Sequence, residues 1–296
     1  MKSTYAFLLA VLFLIVMAFS SCGNKCTEPI QIVTEPFVIE TKPNLISTPL
    51  TEPPDRNASS DATDSNESLF DMHGSHLECY YSDEYEDYLN YYVHVPENAD
   101  IGMPLIVYLH GDGEVNDPYS LLERGISTIS KDIYGEAFPF ILLEPNTRID
   151  SWIRGDIPKI LFELINKVAD EYAVNSDKII LTGHSRGAIG VWDMISIYGG
   201  YFSAAVPVSS PHQKDHIDYI KAAEVPVWTF AGNLGSTERW YHQYLAQNVD
   251  IINGCDGYGK FTILYGCDHG KAKHEAYVKE TFDWMLKQQR GVIPEE

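Results

Sequence analysis

The sequence has few cysteines and few basic residues. Only 5 of its 296 residues are Cys, which is too few for a disulfide scaffold, and no two of them form a Cys-x-x-Cys pair typical of a zinc site. Lys and Arg together number 21 against 42 Asp and Glu, so the formal net charge is −21. Binding to nucleic acid needs a Lys/Arg face, and an anionic membrane surface also attracts cations. The composition therefore argues against both kinds of partner.

A hydrophobic run long enough to cross a membrane is also missing. The longest run, residues 6–19, has 14 residues, whereas a spanning helix needs roughly 20. Because Lys2 precedes it, the run is typical of a signal peptide. It ends in FSSC, and small residues directly before this cysteine, Cys22, resemble the lipobox of bacterial lipoproteins. The resemblance implies a lipid on Cys22; the alternative is ordinary signal-peptide cleavage that leaves a free or bridged thiol.

Between residues 23 and 72 the apolar periodicity disappears. Prolines alternate with Thr, Ser, Glu and Asp, and such a segment cannot bury enough apolar surface to offset its ordering entropy. We therefore predict a lipoprotein-type signal peptide over 1–22, a disordered linker over 23–72 and a globular domain over 73–296. The expected location is extracytoplasmic, either held to a bacterial cell membrane by the lipid on Cys22 alone or secreted.

The globular part alternates apolar runs with segments of helical periodicity. Residues 105–109 (LIVYL) form a continuous apolar run, as in a buried strand, whereas apolar residues between 157 and 168 recur at helical spacing. Similar patterns predict strands over 91–95, 140–143, 178–182, 204–208, 225–230 and 261–264, and helices over 188–198, 216–224, 238–249 and 274–289. The alternation predicts an α/β protein with a mostly parallel central sheet and helices on both faces. Ligands bind such sheets beyond the carboxyl ends of the strands.

One predicted strand runs directly into a Gly-x-Ser-x-Gly pattern. Residues 183–187 read GHSRG and are followed by a predicted helix. This arrangement is typical of a nucleophile elbow, in which the glycines permit a tight turn and the serine hydroxyl projects above the sheet. Ser185 is therefore the candidate nucleophile, and a purely structural Gly-Ser turn is the alternative.

A serine hydroxyl becomes an effective nucleophile when a nearby base removes its proton. His269 is the candidate base, because its loop follows the last predicted strand, precedes the last predicted helix and lies downstream of Ser185. His184, inside the elbow, is expected to point elsewhere. The remaining histidines are expected in structural or surface positions.

Residues 104–113, residues 182–192 and the loop around His269 together resemble the α/β-hydrolase superfamily. Within it they are similar to secreted carboxylesterases of the feruloyl esterase and polyhydroxybutyrate depolymerase type, over roughly residues 91–289. The resemblance implies an acyl-enzyme on Ser185, no metal or organic cofactor, and a small-molecule or polysaccharide-linked ester as substrate. It also implies an oxyanion hole formed by the backbone N–H groups of Asp112 and Arg186.

The resemblance leaves the acid of the catalytic triad open. Family members have an aspartate at a fixed distance after a late strand, and that position is Gly235 here. Glu238, three residues on, would either orient His269 or only stabilise the N-terminus of the following helix. Asp256 lies further along the chain. A Ser-His dyad with no acid is the remaining alternative.

Two further pairs of residues are candidates for the site. Trp152 and Trp240 are candidate pocket residues, although most aromatic side chains pack in cores. Cys255 and Cys267 flank the last predicted strand and either form a disulfide or remain free thiols. The expected function is an ester-cleaving serine hydrolase. The alternatives are a serine peptidase on the same fold and a non-catalytic surface binding module with a degenerate triad.

Overall fold

A computed structural model describes residues 73–212 and 217–294. The predicted signal peptide, Cys22 and the predicted linker over 23–72 lie outside the described residues. Within the two described ranges, no helix is long and apolar enough to cross a membrane.

Eight strands form one central sheet. They are Gly74–Ser82 (β1), Asp87–Val95 (β2), Leu105–Leu109 (β3), Ile141–Asn146 (β4), Ile179–His184 (β5), Ala204–Val208 (β6), Val227–Gly232 (β7) and Gly259–Leu264 (β8). Their order across the sheet is β1-β2-β4-β3-β5-β6-β7-β8. The β1–β2 and β2–β4 pairs are antiparallel, and all other neighbours are parallel. The carboxyl ends of six strands therefore meet at one edge.

The apolar run at the centre of the sheet is buried on both sides. All five residues of β3 are buried. Leu105, Val107 and Leu109 belong to the hydrophobic core on one face of the sheet. Ile106 and Tyr108 belong to the core on the other face. Because successive strand side chains point to opposite faces, a continuous apolar run is what a strand between two layers of helices requires.

Helices cover both faces of the sheet. They are Leu121–Arg124 (α1), Ser127–Tyr134 (α2), Ile157–Glu171 (α3), Arg186–Tyr198 (α4), Tyr219–Ala222 (α5), Ser236–Gly254 (α6), His269–Ala276 (α7) and Lys279–Lys287 (α8). Residues of α3, α4, α5 and α6 pack into the first core. Residues of α2, α7 and α8 pack into the second core. The predicted α/β architecture with helices on both faces is confirmed.

The strands and helices with a clear apolar pattern were predicted best from the sequence. Every predicted strand is present, and the apolar stripe predicted between 157 and 168 is buried in α3. The antiparallel edge strand β1 was not predicted. Its side chains alternate between partly buried and exposed, so it shows no continuous apolar run, and its pairing with β2 specifies it.

Two predicted helices differ in the structure. The closing helix predicted over 274–289 is wrong, because α7 and α8 are separate helices. Val278 between them is extended, with φ −105° and ψ 167°. The buried Tyr277 side chain, at the end of α7, is hydrogen-bonded to Thr182 Oγ1 at 2.8 Å. The helix predicted over 216–224 is shortened to α5, whose N-terminus is capped by the Asp218 side chain; residue 216 lies outside the described residues.

Candidate active site

Ser185 lies at a sharp turn between β5 and α4. Its backbone has φ 58° and ψ −118°, a left-handed conformation that residues other than glycine rarely adopt. A Cβ atom on Gly187 would lie 1.9 Å from the Leu109 carbonyl oxygen, and one on Gly183 would lie 2.7 Å from the Gly187 carbonyl carbon. The two glycines therefore let the turn pack against β3. The turn holds the serine side chain at the carboxyl edge of the sheet.

Three side chains from separate parts of the chain form a hydrogen-bonded line at this edge. The Ser185 hydroxyl lies 2.8 Å from Nε2 of His269. Nδ1 of His269 lies 2.6 Å from Oε1 of Glu238. The Glu238 side chain is 1% exposed, whereas that of His269 is 39% exposed. The imidazole therefore lies between a solvent-accessible hydroxyl and a buried carboxylate, which is the arrangement that base-assisted nucleophilic attack requires.

The second carboxylate oxygen of Glu238 is also fixed. Oε2 accepts hydrogen bonds from the Gly232 backbone N–H at 2.5 Å and from the Ser209 hydroxyl at 3.1 Å. Ser209 has a positive φ of 55°, which is uncommon for serine. Glu238 itself belongs to the first turn of α6. Asp256 is exposed and follows the far end of that helix, so the structure brings Glu238 and not Asp256 to His269.

The two residues expected to supply oxyanion-hole donors lie on adjacent loops. Asp112 begins a short 3₁₀ turn after β3, and Arg186 begins α4. Among the described residues, no backbone carbonyl accepts a hydrogen bond from either N–H. A Cβ atom on Gly111 would lie 3.4 Å from the Ser185 Cβ, so the loop before Asp112 passes close to the serine. Neither N–H group therefore has a backbone acceptor among the described residues, and both belong to loops beside Ser185.

Comparison with known proteins was informative only for solved structures. No protein-family model and no curated protein sequence matches the chain. A thermostable esterase structure is similar with a TM-score of 0.64 and 23% identity, and the match covers 73% of this chain but 63% of the esterase. A ferulic acid esterase has a TM-score of 0.56 and 17% identity over 72% of this chain and 99% of its own. An acetyl xylan esterase from Aspergillus awamori has a TM-score of 0.56 and 16% identity, with coverages of 71% and 99%.

This chain has the α/β-hydrolase fold. Identities below one quarter establish the architecture and leave the chemistry to the residues of the site. In this α/β-hydrolase fold, Ser185 follows β5, His269 follows β8, and Glu238 follows β7. All three therefore reach the carboxyl edge of the parallel strands, where ligands bind in open α/β sheets.

His110 lies in the loop that follows β3 and is hydrogen-bonded at both ring nitrogens. Its Nδ1–H donates to the Gly111 carbonyl at 2.6 Å, and its Nε2 accepts from the Thr147 backbone N–H at 3.1 Å. Burial lowers the pKa of His110 to about 4, so the ring is neutral at pH 7, as a ring with one donor and one acceptor nitrogen must be. The Trp152 indole N–H donates to the His110 carbonyl at 2.9 Å. These bonds tie the loop to the end of β4.

His184 contacts the candidate base directly. Its Nε2–H donates to the His269 backbone carbonyl at 2.9 Å, and the two rings lie 4.8 Å apart. Burial, together with the nearby His269, lowers the pKa of His184 to about 3. Sequence reasoning missed this contact. The position of His184 inside the elbow does not indicate that the loop after β8 lies next to it. His184 is therefore a neutral support for the His269 loop.

Two open clefts meet at Ser185 and Asp112. The first, of about 340 Å³, is lined mainly by Trp152, Ile153, Arg186, Ile189, Ser210 and Tyr241. The second, of about 440 Å³, is lined mainly by Glu114, Arg124, His184, His269, Lys273 and His274. Burial raises the pKa of Glu114 and lowers that of Lys273. One cleft is thus partly apolar, and the other is rich in ionisable groups.

The two candidate pocket tryptophans have different positions. Trp152 borders the first cleft, although it is only 2% exposed. Trp240 is 53% exposed, packs against the Tyr244 ring at 4.4 Å and lines neither cleft. Its neighbour Tyr241 lines the first cleft instead, with its ring 6.2 Å from that of His269. Helical rotation explains the difference, because adjacent residues of α6 point about 100° apart.

The two cysteines near the last strand are not bridged. Cys255 and Cys267 are both free thiols, the first exposed and the second buried. Of the two alternatives for this pair, the structure therefore shows the unbridged one. In residues 73–212 and 217–294, no group of three or more His, Cys, Asp or Glu side chains is arranged to hold a metal ion.

Proposed function

We propose that this chain is an extracytoplasmic serine hydrolase that cleaves carboxylic esters through an acyl-enzyme. The observation that carries the proposal is the line from the Ser185 hydroxyl through His269 to buried Glu238, with separations of 2.8 Å and 2.6 Å. A hydroxyl on a strained elbow, a base within hydrogen-bond distance and a buried carboxylate behind that base are the parts that acyl transfer needs.

In the first half-reaction Ser185 Oγ attacks the ester carbonyl carbon while His269 Nε2 takes the hydroxyl proton. Glu238 accepts the Nδ1–H bond and stabilises the imidazolium that forms. The carbonyl oxygen becomes an oxyanion, which the backbone N–H groups of Asp112 and Arg186 stabilise. His269 then returns the proton to the leaving alcohol, and the acyl group stays on Ser185.

In the second half-reaction water replaces the alcohol. His269 removes a proton from the water, the resulting hydroxide attacks the acyl carbon, and the Ser185 oxygen leaves with the proton returned by the same imidazole. The charges on both tetrahedral intermediates develop at the same oxygen. One pair of backbone donors therefore serves both steps.

The two clefts suggest where the alcohol and acyl parts of an ester substrate bind. The leaving alcohol takes its proton from His269, so it belongs in the cleft that His269 lines, together with Arg124 and Lys273. The acyl group then belongs in the partly apolar cleft beside Ile153 and Tyr241. Because two structural neighbours are a ferulic acid esterase and an acetyl xylan esterase, feruloyl and acetyl esters, free or polysaccharide-linked, are the first substrates to assay.

A fluorophosphonate probe tests the nucleophile. We expect covalent labelling on Ser185, found by mass spectrometry of the labelled peptide, and its loss in Ser185→Ala. Ser176→Ala is the matched control, because Ser176 is exposed in the turn before β5, at the opposite end of the strand that leads to Ser185. This variant should label like the wild type. An unlabelled wild-type chain would favour a non-catalytic binding module. A labelled chain that cleaves amides faster than esters would indicate a peptidase.

The membrane attachment is a separate proposal. It rests on the FSSC sequence ending at Cys22 after an apolar run, and it adds a lipid anchor without a spanning helix. Metabolic labelling with a fatty-acid analogue should mark the wild type and Cys26→Ala, but not Cys22→Ala. Equal labelling of the two variants would contradict the attachment at Cys22.

A further inference from the structure

The side chains of Asp112 and Arg186 are bonded to each other. Arg186 Nη2 lies 2.7 Å from Asp112 Oδ2, and Arg186 Nε donates to Asp112 Oδ1. The pair is therefore bidentate, the geometry in which a guanidinium fixes a carboxylate in both distance and direction. Arg186 Nη1 also donates to the Asp150 carbonyl. The Arg186 side chain thus binds both the Asp112 carboxylate and the Asp150 carbonyl. Asp112 and Arg186 are the residues whose N–H groups are the proposed oxyanion donors.

These contacts add a side-chain link between two loops whose backbones already lie close together at Gly111 and Ser185. Asp112 follows β3 and Arg186 follows β5, and the two strands are parallel neighbours whose last pair is Leu109 with Gly183. Beyond that pair no strand hydrogen bond holds the two N–H groups in register. Asp112 is exposed at the tip of its loop, which is where backbone order is usually lowest. The ion pair links the side chains of these two loops beside Ser185, where the strand ladder has ended.

We propose that the Asp112–Arg186 ion pair is a positioning device for the oxyanion hole, an inference that rests on the proposed function. Stabilisation of an oxyanion depends on donors already aimed at the position where the charge develops. A bidentate bridge between the two donor residues fixes the distance between their N–H groups before the substrate arrives. The side chains act through the backbone donors, so their effect falls on the transition state more than on substrate binding.

A double-mutant cycle tests this role. Asp112→Ala and Arg186→Met each keep the backbone N–H and remove the bridge. We expect each to lower kcat about tenfold for an activated ester, while KM changes less than about threefold, since positioning acts in the transition state. The double variant should be only about as slow as the slower single variant, because both changes remove one contact. A trifluoromethyl ketone, which forms a tetrahedral oxyanion on the serine, should lose affinity in parallel with kcat.

The control is a double variant that removes an exposed ion pair away from the site. Asp156, directly before α3, and Lys159, in its first turn, are 2.9 Å apart and both about half exposed. The double variant Asp156→Ala with Lys159→Met should leave kcat unchanged. Equal thermal midpoints of all variants exclude unfolding as the cause. If the wild type is active, three results would overturn this inference but not the proposed function. They are an unchanged kcat in the Asp112 and Arg186 variants, a change in KM only, and a loss of about 100-fold in kcat in the double variant. A wild type that cleaves no ester overturns it together with the proposed function.

Discussion

Glu238 reaches His269 from a helix rather than from the loop after a strand. Gly235, where the resemblance to carboxylesterases leads us to expect an aspartate, is the residue directly before α6 and has φ 86°. The longer glutamate side chain spans the added distance from the first helical turn, and the Gly232 N–H and Ser209 hydroxyl hold its other oxygen. The buried carboxylate is therefore satisfied on both oxygens, which limits the cost of its desolvation.

The first prediction concerns this carboxylate. Glu238→Gln should lower kcat about 10²- to 10⁴-fold, because an amide cannot stabilise the imidazolium and favours the wrong tautomer. Glu238→Asp should be intermediate, since the charge remains but the arm is shorter. Steady-state ester hydrolysis measures both. Asp256→Asn, on an exposed residue, is the control, and a larger loss in that variant than in Glu238→Gln would contradict the assignment.

The second prediction concerns the two buried histidines. Burial lowers the pKa of His110 to about 4 and that of His184 to about 3, whereas an unfolded histidine titrates near 6.5. Below about pH 6.5 the unfolded chain binds protons that the folded chain does not. The free energy of unfolding should therefore fall as the pH drops from about 6.5 to 4, by up to about 1.4 kcal/mol per pH unit for each histidine.

Urea denaturation at a series of pH values measures this slope. His110→Gln should be less stable at pH 7, because it loses buried hydrogen bonds, but its stability should depend less steeply on pH between about 4 and 6.5. The comparison of slopes separates the histidine from the carboxylates that titrate at lower pH. Parallel curves for the variant and the wild type would refute the explanation.

At the scale of elements, the elbow depends on the contact between α4 and β3. Gly187 packs where a Cβ atom would overlap the Leu109 carbonyl, and Gly183 packs against Gly187 itself. Such backbone-to-backbone contacts have no flexible side chain that can move aside. The strained φ of Ser185 is therefore held by the packing of three neighbouring elements.

The third prediction follows from this contact. Gly187→Ala should lower the free energy of unfolding by roughly 3 kcal/mol or more, since overpacking against backbone is among the costliest single substitutions. Gly254→Ala is the control, because nothing lies within 4 Å of the added methyl group at the end of α6. That variant should be neutral or stabilised by up to about 1 kcal/mol. Urea denaturation compares the two; similar losses would contradict the packing argument.

The predictability of the elements depended on how each one is specified. Local periodicity determines α3, whose apolar stripe the sequence shows, and β3, which is apolar throughout. The edge strand β1 has no such pattern, because its outer side faces solvent. The break between α7 and α8 occurs where Tyr277 contacts Thr182, a residue far away in the chain. Long-range contacts of this kind leave no trace in a short window of sequence.

At the scale of the whole molecule, the described domain itself is acidic. Residues 73–296 contain 33 Asp and Glu against 17 Lys and Arg, so the excess of acidic residues does not belong to the predicted linker alone. A domain with this charge repels polyanions over distances of about a Debye length, roughly 10 Å at 0.1 M salt. Neutral esters experience no such repulsion.

The fourth prediction is therefore a dependence on salt. The kcat/KM for an ester attached to an anionic polysaccharide should rise as NaCl increases from about 20 mM to 500 mM, because salt screens the repulsion. The same acyl group on a neutral polysaccharide should show no comparable rise. Equal salt responses for the two substrates would mean that the net charge does not affect access to the site.

The sequence by itself determined the α/β alternation and the elbow around Ser185, because each depends on residues close together in the chain. It also indicated His269, because the order of strands and helices places the loop of His269 at the carboxyl edge of the sheet. The choice of Glu238 over Asp256, the contact of His184 with His269 and the replacement of Trp240 by Tyr241 at the cleft were decided only by the tertiary structure. The first and third depend on how far a helix is rotated and how long a side chain must be to reach a partner, whereas the second depends on where the end of β5 meets the loop after β8. Sequence spacing alone does not contain that geometry.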